Sequence, residues 1–82
     1  MKWCPMRIPL IMPDLGVAQM TLSIWFVANG SNVLEGDRLL EVLTGPATFD
    51  LSAPATGRLV ERTVFVNDRV FPGQTLGFIE ES

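Results

Sequence analysis

The chain has 82 residues, with six Lys and Arg against nine Asp and Glu, no His and a single Cys. That length bounds it to one domain, residues 1–82, able to bury about 60–65 % of its unfolded surface. A net charge of −3 argues against a nucleic-acid surface, which needs clustered cations.

The lack of His removes the commonest general acid-base and the usual base for a Ser or Cys nucleophile. Cys4 alone forms no intramolecular disulfide and no cysteine-built metal site, which fits a reducing compartment, so a cytoplasmic location is expected. No apolar run reaches the ~20 residues a bilayer requires, so no membrane association is expected. Apolar residues make up 48 % of the chain and charged ones 18 %, a globular rather than a disordered composition.

The start, Met1 to Pro13, is interrupted by Pro5, Pro9 and Pro13 and has no small-residue cleavage site, so it reads as mature protein. Arg7 to Met12 reads as a first strand, and Pro9, which removes a ladder donor, places it at a sheet edge. Pro13-Asp14-Leu15-Gly16 is a turn, followed by a largely apolar loop, Val17-Ala18-Gln19-Met20. Thr21 to Val27 alternates, which puts Leu22, Ile24 and Phe26 on the core face and Thr21, Ser23, Trp25 and Val27 on the other. Asn29-Gly30-Ser31-Asn32 is a turn rich in residues that tolerate left-handed backbone.

Leu39 to Leu43 and Thr48 to Ser52 are strand-like runs joined by Thr44-Gly45-Pro46-Ala47. Gly suits the positive φ at the first central position of a type II′ turn and Pro the negative φ at the second; type I′ would exclude Pro. Ala53 to Gly57 then leaves the hairpin and opens a second half. Val27, Val33, Gly36, Leu39 and Val42 recur as Val64, Val70, Gly73, Leu76 and Ile79, at an offset of about 37 residues. Asn67-Asp68 mirrors Gly30-Ser31, and Pro72-Gly73 mirrors Glu35-Gly36. Two copies imply an all-β, flattened barrel of two pseudo-symmetric sheets. The hairpin tip alone has no chain-continuing counterpart, because its mirror image is where the two termini approach. That makes it the distinctive site.

The carboxylates Asp14, Glu35, Asp37, Glu41, Asp50, Glu61, Asp68, Glu80 and Glu81 follow no metal-loop or catalytic spacing and read as solvated charges. The five arginines are scattered, and only Arg58 with Arg62 hints at a basic spot. Cys4, without a basic partner, reads as a free thiol. No enzymatic constellation emerges.

The run Glu41 to Gly57 resembles the attachment hairpin of the biotinyl/lipoyl-carrier family, above all the lipoyl domains of 2-oxo acid dehydrogenase acyltransferases. The resemblance extends over about residues 7–80, including Met12-Pro13-Asp14-Leu15-Gly16 and Trp25, which in such domains packs. It implies a barrel-sandwich hybrid of two four-stranded sheets. In that family the turn reads Asp-Lys-Ala and the lysine carries lipoate or biotin. Here Pro46 stands at the lysine position, Gly45 at the Asp and Leu43 at a usual Glu. A proline nitrogen has nothing to acylate, and the sequence's one lysine is Lys2, so no cofactor is expected. The family's acidic loop beside the hairpin, which helps partners identify the domain, is replaced by Val17 to Met20.

The resemblance thus implies a non-carrier interaction or structural module, at most a non-catalytic domain of an acyltransferase component. Val17, Ala18, Gln19, Met20, Gly45 and Pro46 are its expected contact residues, and a protein partner, with dehydrogenase-complex components as candidates, is expected. The alternatives are a lipoyl or biotin carrier modified at an unrecognised site, and a packing or oligomerisation module in which Phe65 and Phe71 cover a shared face.

Overall fold

Short alternating runs separated by Gly, Pro and Asn turns become eight strands in the computed structural model, which describes residues 6–81. They are β1 (Arg7–Ile11), β2 (Met20–Trp25), β3 (Asn32–Val33), β4 (Arg38–Thr44), β5 (Ala47–Ser52), β6 (Gly57–Arg62), β7 (Arg69–Val70) and β8 (Thr75–Glu81). The described residues contain no helix. The expectations for Lys2 and Cys4 lie outside the described residues.

One antiparallel sheet has the order β1-β8-β6-β3 and the other β5-β4-β2-β7. Adding 37 to the bounds of β2, β3 and β4 gives β6, β7 and β8, and β1 flanks β8 as β5 flanks β4. The repeat read from apolar positions is therefore the symmetry of the fold. Individual hydrogen bonds follow it: Leu22 N donates to Asp68 O at 2.8 Å and Leu59 N to Ser31 O at 2.9 Å. The turns follow it too, with Asn67 taking a φ of 75° where the first copy has Gly30 at 88°. Asn tolerates this left-handed region better than most residues.

The expected faces of β2 are corrected by a bulge. Leu22 pairs with Val42 but Ile24 with Glu41, so Ser23 is an extra residue and the alternation slips by one. Leu22 is fully buried, whereas Ile24 and Phe26 point outward, 45 % and 42 % exposed. Trp25 and Val27 pack on the core instead. The same slip recurs one repeat later, where Leu59 pairs with Ile79 and Glu61 with Phe78.

Leu10, Met12, Met20, Leu22, Leu39, Leu40, Val42, Leu59, Leu76 and Ile79 form the buried centre between the sheets. Trp25 closes one side of it. Its Nε1 donates to Val64 O at 2.9 Å, and the Arg62 guanidinium lies 5.8 Å from the ring centroid. Trp25 and Arg62 are themselves 37 residues apart, so this contact joins symmetry-equivalent positions. Gly77 makes room for it: a Cβ there would stand 3.4 Å from Trp25 Cη2 and 2.6 Å from Glu61 O. Pro9 lies in edge strand β1, as its missing donor requires.

Candidate functional site: the hairpin tip and its neighbours

Thr44 pairs with Ala47, leaving Gly45-Pro46 as a two-residue loop between β4 and β5. Gly45 has a φ of 82° and Pro46 is not in the left-handed region, as a type II′ turn demands. Thr44 Oγ1 donates to Ala47 O at 3.2 Å, bracing the turn from below. Gly45, Pro46 and Ala47 are exposed, and no atom lies within 4 Å of where a Gly45 Cβ would stand. The tip projects clear of the sheets.

The loop from Pro13 to Gln19 enters β2 beside this tip. Asp14 Oδ1 accepts from Gly16 N at 2.9 Å, an Asx turn that ends with Gly16 at a φ of 73°. Val17, Ala18 and Gln19 follow, all exposed. Met20 does not belong with them. It is the first residue of β2, pairs with Val70 and is 2 % exposed, so it is core rather than contact surface.

Pairing through β2 also brings in a residue that sequence reasoning had assigned elsewhere. Thr21 pairs with both Leu43 and Arg69, and Met20 with Val70. Phe71 follows directly after the Met20–Val70 pair, is 56 % exposed and opens the next turn, its N donating to Gln74 Oε1 at 2.9 Å. Phe71 was expected only in a face shared with Phe65. The signal that could have found it is the repeat, which places β7 beside the strand that follows the loop.

The polar groups nearby do little chemistry. Thr44, Gly45, Pro46 and Ala47 offer no amine, carboxylate, thiol or imidazole, and the one hydroxyl is engaged. A biotinyl or lipoyl group attached through an amide needs a primary amine, so the tip residues do not fit either group. Among the described residues no cluster of three His, Cys, Asp or Glu side chains could hold a metal. A cleft of ≈ 280 Å³ beside β3 is lined by Asn32, Val33, Leu34, Thr56 and Gly57, again without an ionisable group.

Several carboxylates expected to be freely solvated have structural partners. Asp37 and Asp68 accept from Leu34 N and Phe65 N at 3.0 and 2.9 Å, each closing a turn; the repeat counterpart of the first is Gln74, whose Oε1 accepts from Phe71 N at 2.9 Å. Asp50 pairs with Arg38 at 3.1 Å, Glu61 with Arg7 at 3.5 Å and Glu80 with Arg58 at 3.8 Å. Arg58 faces that ion pair while Arg62 stacks on Trp25, so the two do not form a basic spot.

Two interleaved four-stranded sheets related by a fixed offset, with one two-residue hairpin raised at an end, define a barrel-sandwich hybrid of the carrier-domain class. The biotin/lipoyl family model, described as "Biotin-requiring enzyme", matches residues 8–79, and the chain belongs to that family. It is 30 % identical over 78 residues to the dihydrolipoyllysine-residue succinyltransferase component of the 2-oxoglutarate dehydrogenase complex of Rickettsia conorii, covering 93 % of this chain and 20 % of that protein. It is 39 % identical over 51 residues to the lipoamide acyltransferase component of the branched-chain alpha-keto acid dehydrogenase complex of Pseudomonas aeruginosa, covering 60 % of this chain and 12 % of that protein. The chain thus spans a fifth or less of these relatives.

Among solved structures, the lipoyl domain of the Azotobacter vinelandii 2-oxoglutarate dehydrogenase complex superposes with a TM-score of 0.67 at 21 % identity, over 98 % of this chain and all of that one. A single-chain, multi-domain long-chain acyl-CoA carboxylase gives a TM-score of 0.80 at 18 % identity, over all of this chain and 8 % of that one. At these identities the two structures speak for the fold. No helix among the described residues is long and apolar enough to cross a membrane.

Proposed function

We propose that this chain is a lipoyl-like domain that carries neither lipoate nor biotin at its hairpin and works as a protein-interaction module related to 2-oxo acid dehydrogenase acyltransferases. The observation that carries this reading is Pro46, a residue whose nitrogen is closed within the ring, at the exposed end of a hairpin that keeps its strand pairing and two-residue turn. The contact surface is Gly45 and Pro46 with Val17, Ala18, Gln19 and Phe71 beside them. A rigid tip flanked by exposed apolar side chains suits a partner pocket. Components of a dehydrogenase complex, in the cytoplasm, are the partners proposed, by likeness to the relatives' names.

Intact mass of the protein from its native source tests the first half of this reading, with the unmodified mass expected; an added lipoyl or biotinyl mass would sink it. Retention of purified dehydrogenase-complex components on the immobilised chain, reduced at least tenfold by Val17→Asp with Phe71→Asp, tests the second. Undiminished retention by that variant would place the contact elsewhere.

A further inference from the structure

The two halves carry the same strands in the same register, so each outward position on one sheet has a counterpart on the other. The fold itself gives no reason for these two faces to differ, yet their patterns are inverted. On the β1-β8-β6 face, Arg7 pairs with Glu61 at 3.5 Å and Arg58 with Glu80 at 3.8 Å, around Phe78, whose ring centroid lies 5.2 Å from the Arg7 guanidinium. The register counterparts on the β5-β4-β2 face are Thr48, Ile24, Thr21 and Leu43, placed around Glu41. Charges surround an aromatic ring on one face; on the other, Thr48, Ile24, Thr21 and Leu43 surround an acid, and the charges stand to one side. Asp50 is directly across from Glu41, Arg38 is paired to Asp50, and the Arg38 guanidinium lies 5.0 Å from the Phe26 ring centroid.

Leu43, Ile24 and Phe26 stand 42 %, 45 % and 42 % exposed on this second face. Glu41 forms no ion pair among the described residues, and the Arg38 cation nearest in sequence is taken by Asp50 at 3.1 Å. Apolar side chains at sites where the same scaffold accepts ion pairs, arranged around an unpaired acid, mark a surface that is meant to be covered.

We propose that this face docks an amphipathic helical segment of a partner protein, its apolar stripe on Leu43, Ile24 and Phe26 and a lysine or arginine against Glu41. A helix laid on a sheet is the ordinary way to cover an apolar sheet face. The apolar residues lie on two adjacent strands about 4.8 Å apart, a footprint of about 10 Å that matches one helix diameter. A second copy would bring Glu41 and a net charge of −3 against their like, whereas a basic segment is complementary. The surface adjoins the tip, since the Leu43–Thr48 pair is next to the Thr44–Ala47 pair, but the proposal holds whether or not the tip itself binds a partner.

The test is a ¹⁵N NMR titration of the chain with a twelve-residue amphipathic helical peptide bearing a leucine stripe flanked by arginines, and with its Arg→Glu counterpart. Shifts saturating below 1 mM at the amides of Ile24, Phe26, Glu41 and Leu43 are expected, with the arginine peptide at least fivefold tighter. Glu41→Gln should erase most of that preference. Thr21→Arg, Ile24→Glu, Leu43→Glu and Thr48→Arg together install the pattern with which the other face already folds, and should weaken binding at least tenfold while the spectrum stays dispersed. Should that variant fail to fold, Leu43→Glu alone is expected to weaken binding several-fold. Equal binding of the two peptides, shifts confined to residues 17–19 and 45–46, or no shifts up to several millimolar would overturn the proposal. Concentration-dependent broadening of the same face without peptide would replace the partner helix by a second copy.

Discussion

At the scale of single residues, the tip shows how framework and chemistry separate. Gly45 supplies the positive φ and Pro46 a fixed negative one, so Pro46→Lys alone suits the existing backbone and should change stability by no more than about 0.5 kcal/mol. Adding Gly45→Asp restores the pair that the family resemblance implies, at a cost on the order of 1 kcal/mol for Asp at positive φ. Co-expressed with a lipoate-attaching enzyme and lipoate, this double variant is expected to gain a lipoyl group at position 46, read by peptide mass spectrometry, while the parent does not. A folded double variant that stays unmodified would mean that attachment needs more than the tip, and residues 17–19 would be the first to examine. Asp50 makes a second residue-scale case. It lies across from Glu41, and its Oδ1 is buried without a partner although Oδ2 holds Arg38. Asp50→Asn loses a surface pair worth about 0.2–1 kcal/mol but relieves a directly opposed like charge, so the net change should stay within about 0.5 kcal/mol. Leu51→Ala, partly buried against the core, should cost about 2 kcal/mol, and Leu40→Ala, fully buried, about 2–5 kcal/mol. Urea denaturation would check the order, and a loss at Asp50 as large as at Leu40 would contradict it.

At the scale of elements, the turns were legible because each needs particular residues: Gly45-Pro46, Asn67 and Gly73 all sit where their backbone preferences put them. The bulge in β2 was not, and the reason is physical. After Leu22 the run Ser23-Ile24-Trp25-Phe26-Val27 is apolar on both faces, so alternation cannot say which set is inside once an extra residue is admitted. Met20 was misplaced because an apolar residue at the junction of loop and strand fits either, and only pairing with Val70 decides. Edge protection is another element-scale property. Pro9 pairs with Phe78 and Asp50 with Glu41, equivalent positions in the edge strands β1 and β5, and each discourages pairing with another chain by a different means: a missing donor in one, a charge in the other. Pro9→Val restores the donor in β1. It is expected to leave the fold intact but raise the light-scattering mass at high concentration; a variant that stays monodisperse at the parent's mass would show that Pro9 has no such role.

At the scale of the whole molecule, the two repeats are interleaved rather than stacked. β3 from the first copy completes the sheet of β6 and β8, and β7 from the second completes the sheet of β2 and β4. The repeat itself was readable from apolar spacing, but this exchange was not, because two-residue strands carry no pattern of their own. Its consequence is that neither half can bury its inner face alone: a piece spanning residues 20–56 would keep Leu22, Leu40 and Val42 but lose Val70, Leu59, Leu76 and Ile79 that cover them. The full chain should therefore unfold in one cooperative step without any metal, disulfide or cofactor, with an enthalpy of about 55–60 kcal/mol for its length. In a Trp3→Phe background Trp25 reports the contact between symmetry-equivalent positions, through its bond to Val64 and the Arg62 stacked on it. Its fluorescence and far-UV circular dichroism should then give one midpoint, and residues 20–56 alone should show no transition. Separate midpoints, or a cooperative transition in the fragment, would mean that each repeat is a folding unit in its own right and that the exchange of β3 and β7 contributes little to holding the two sheets together.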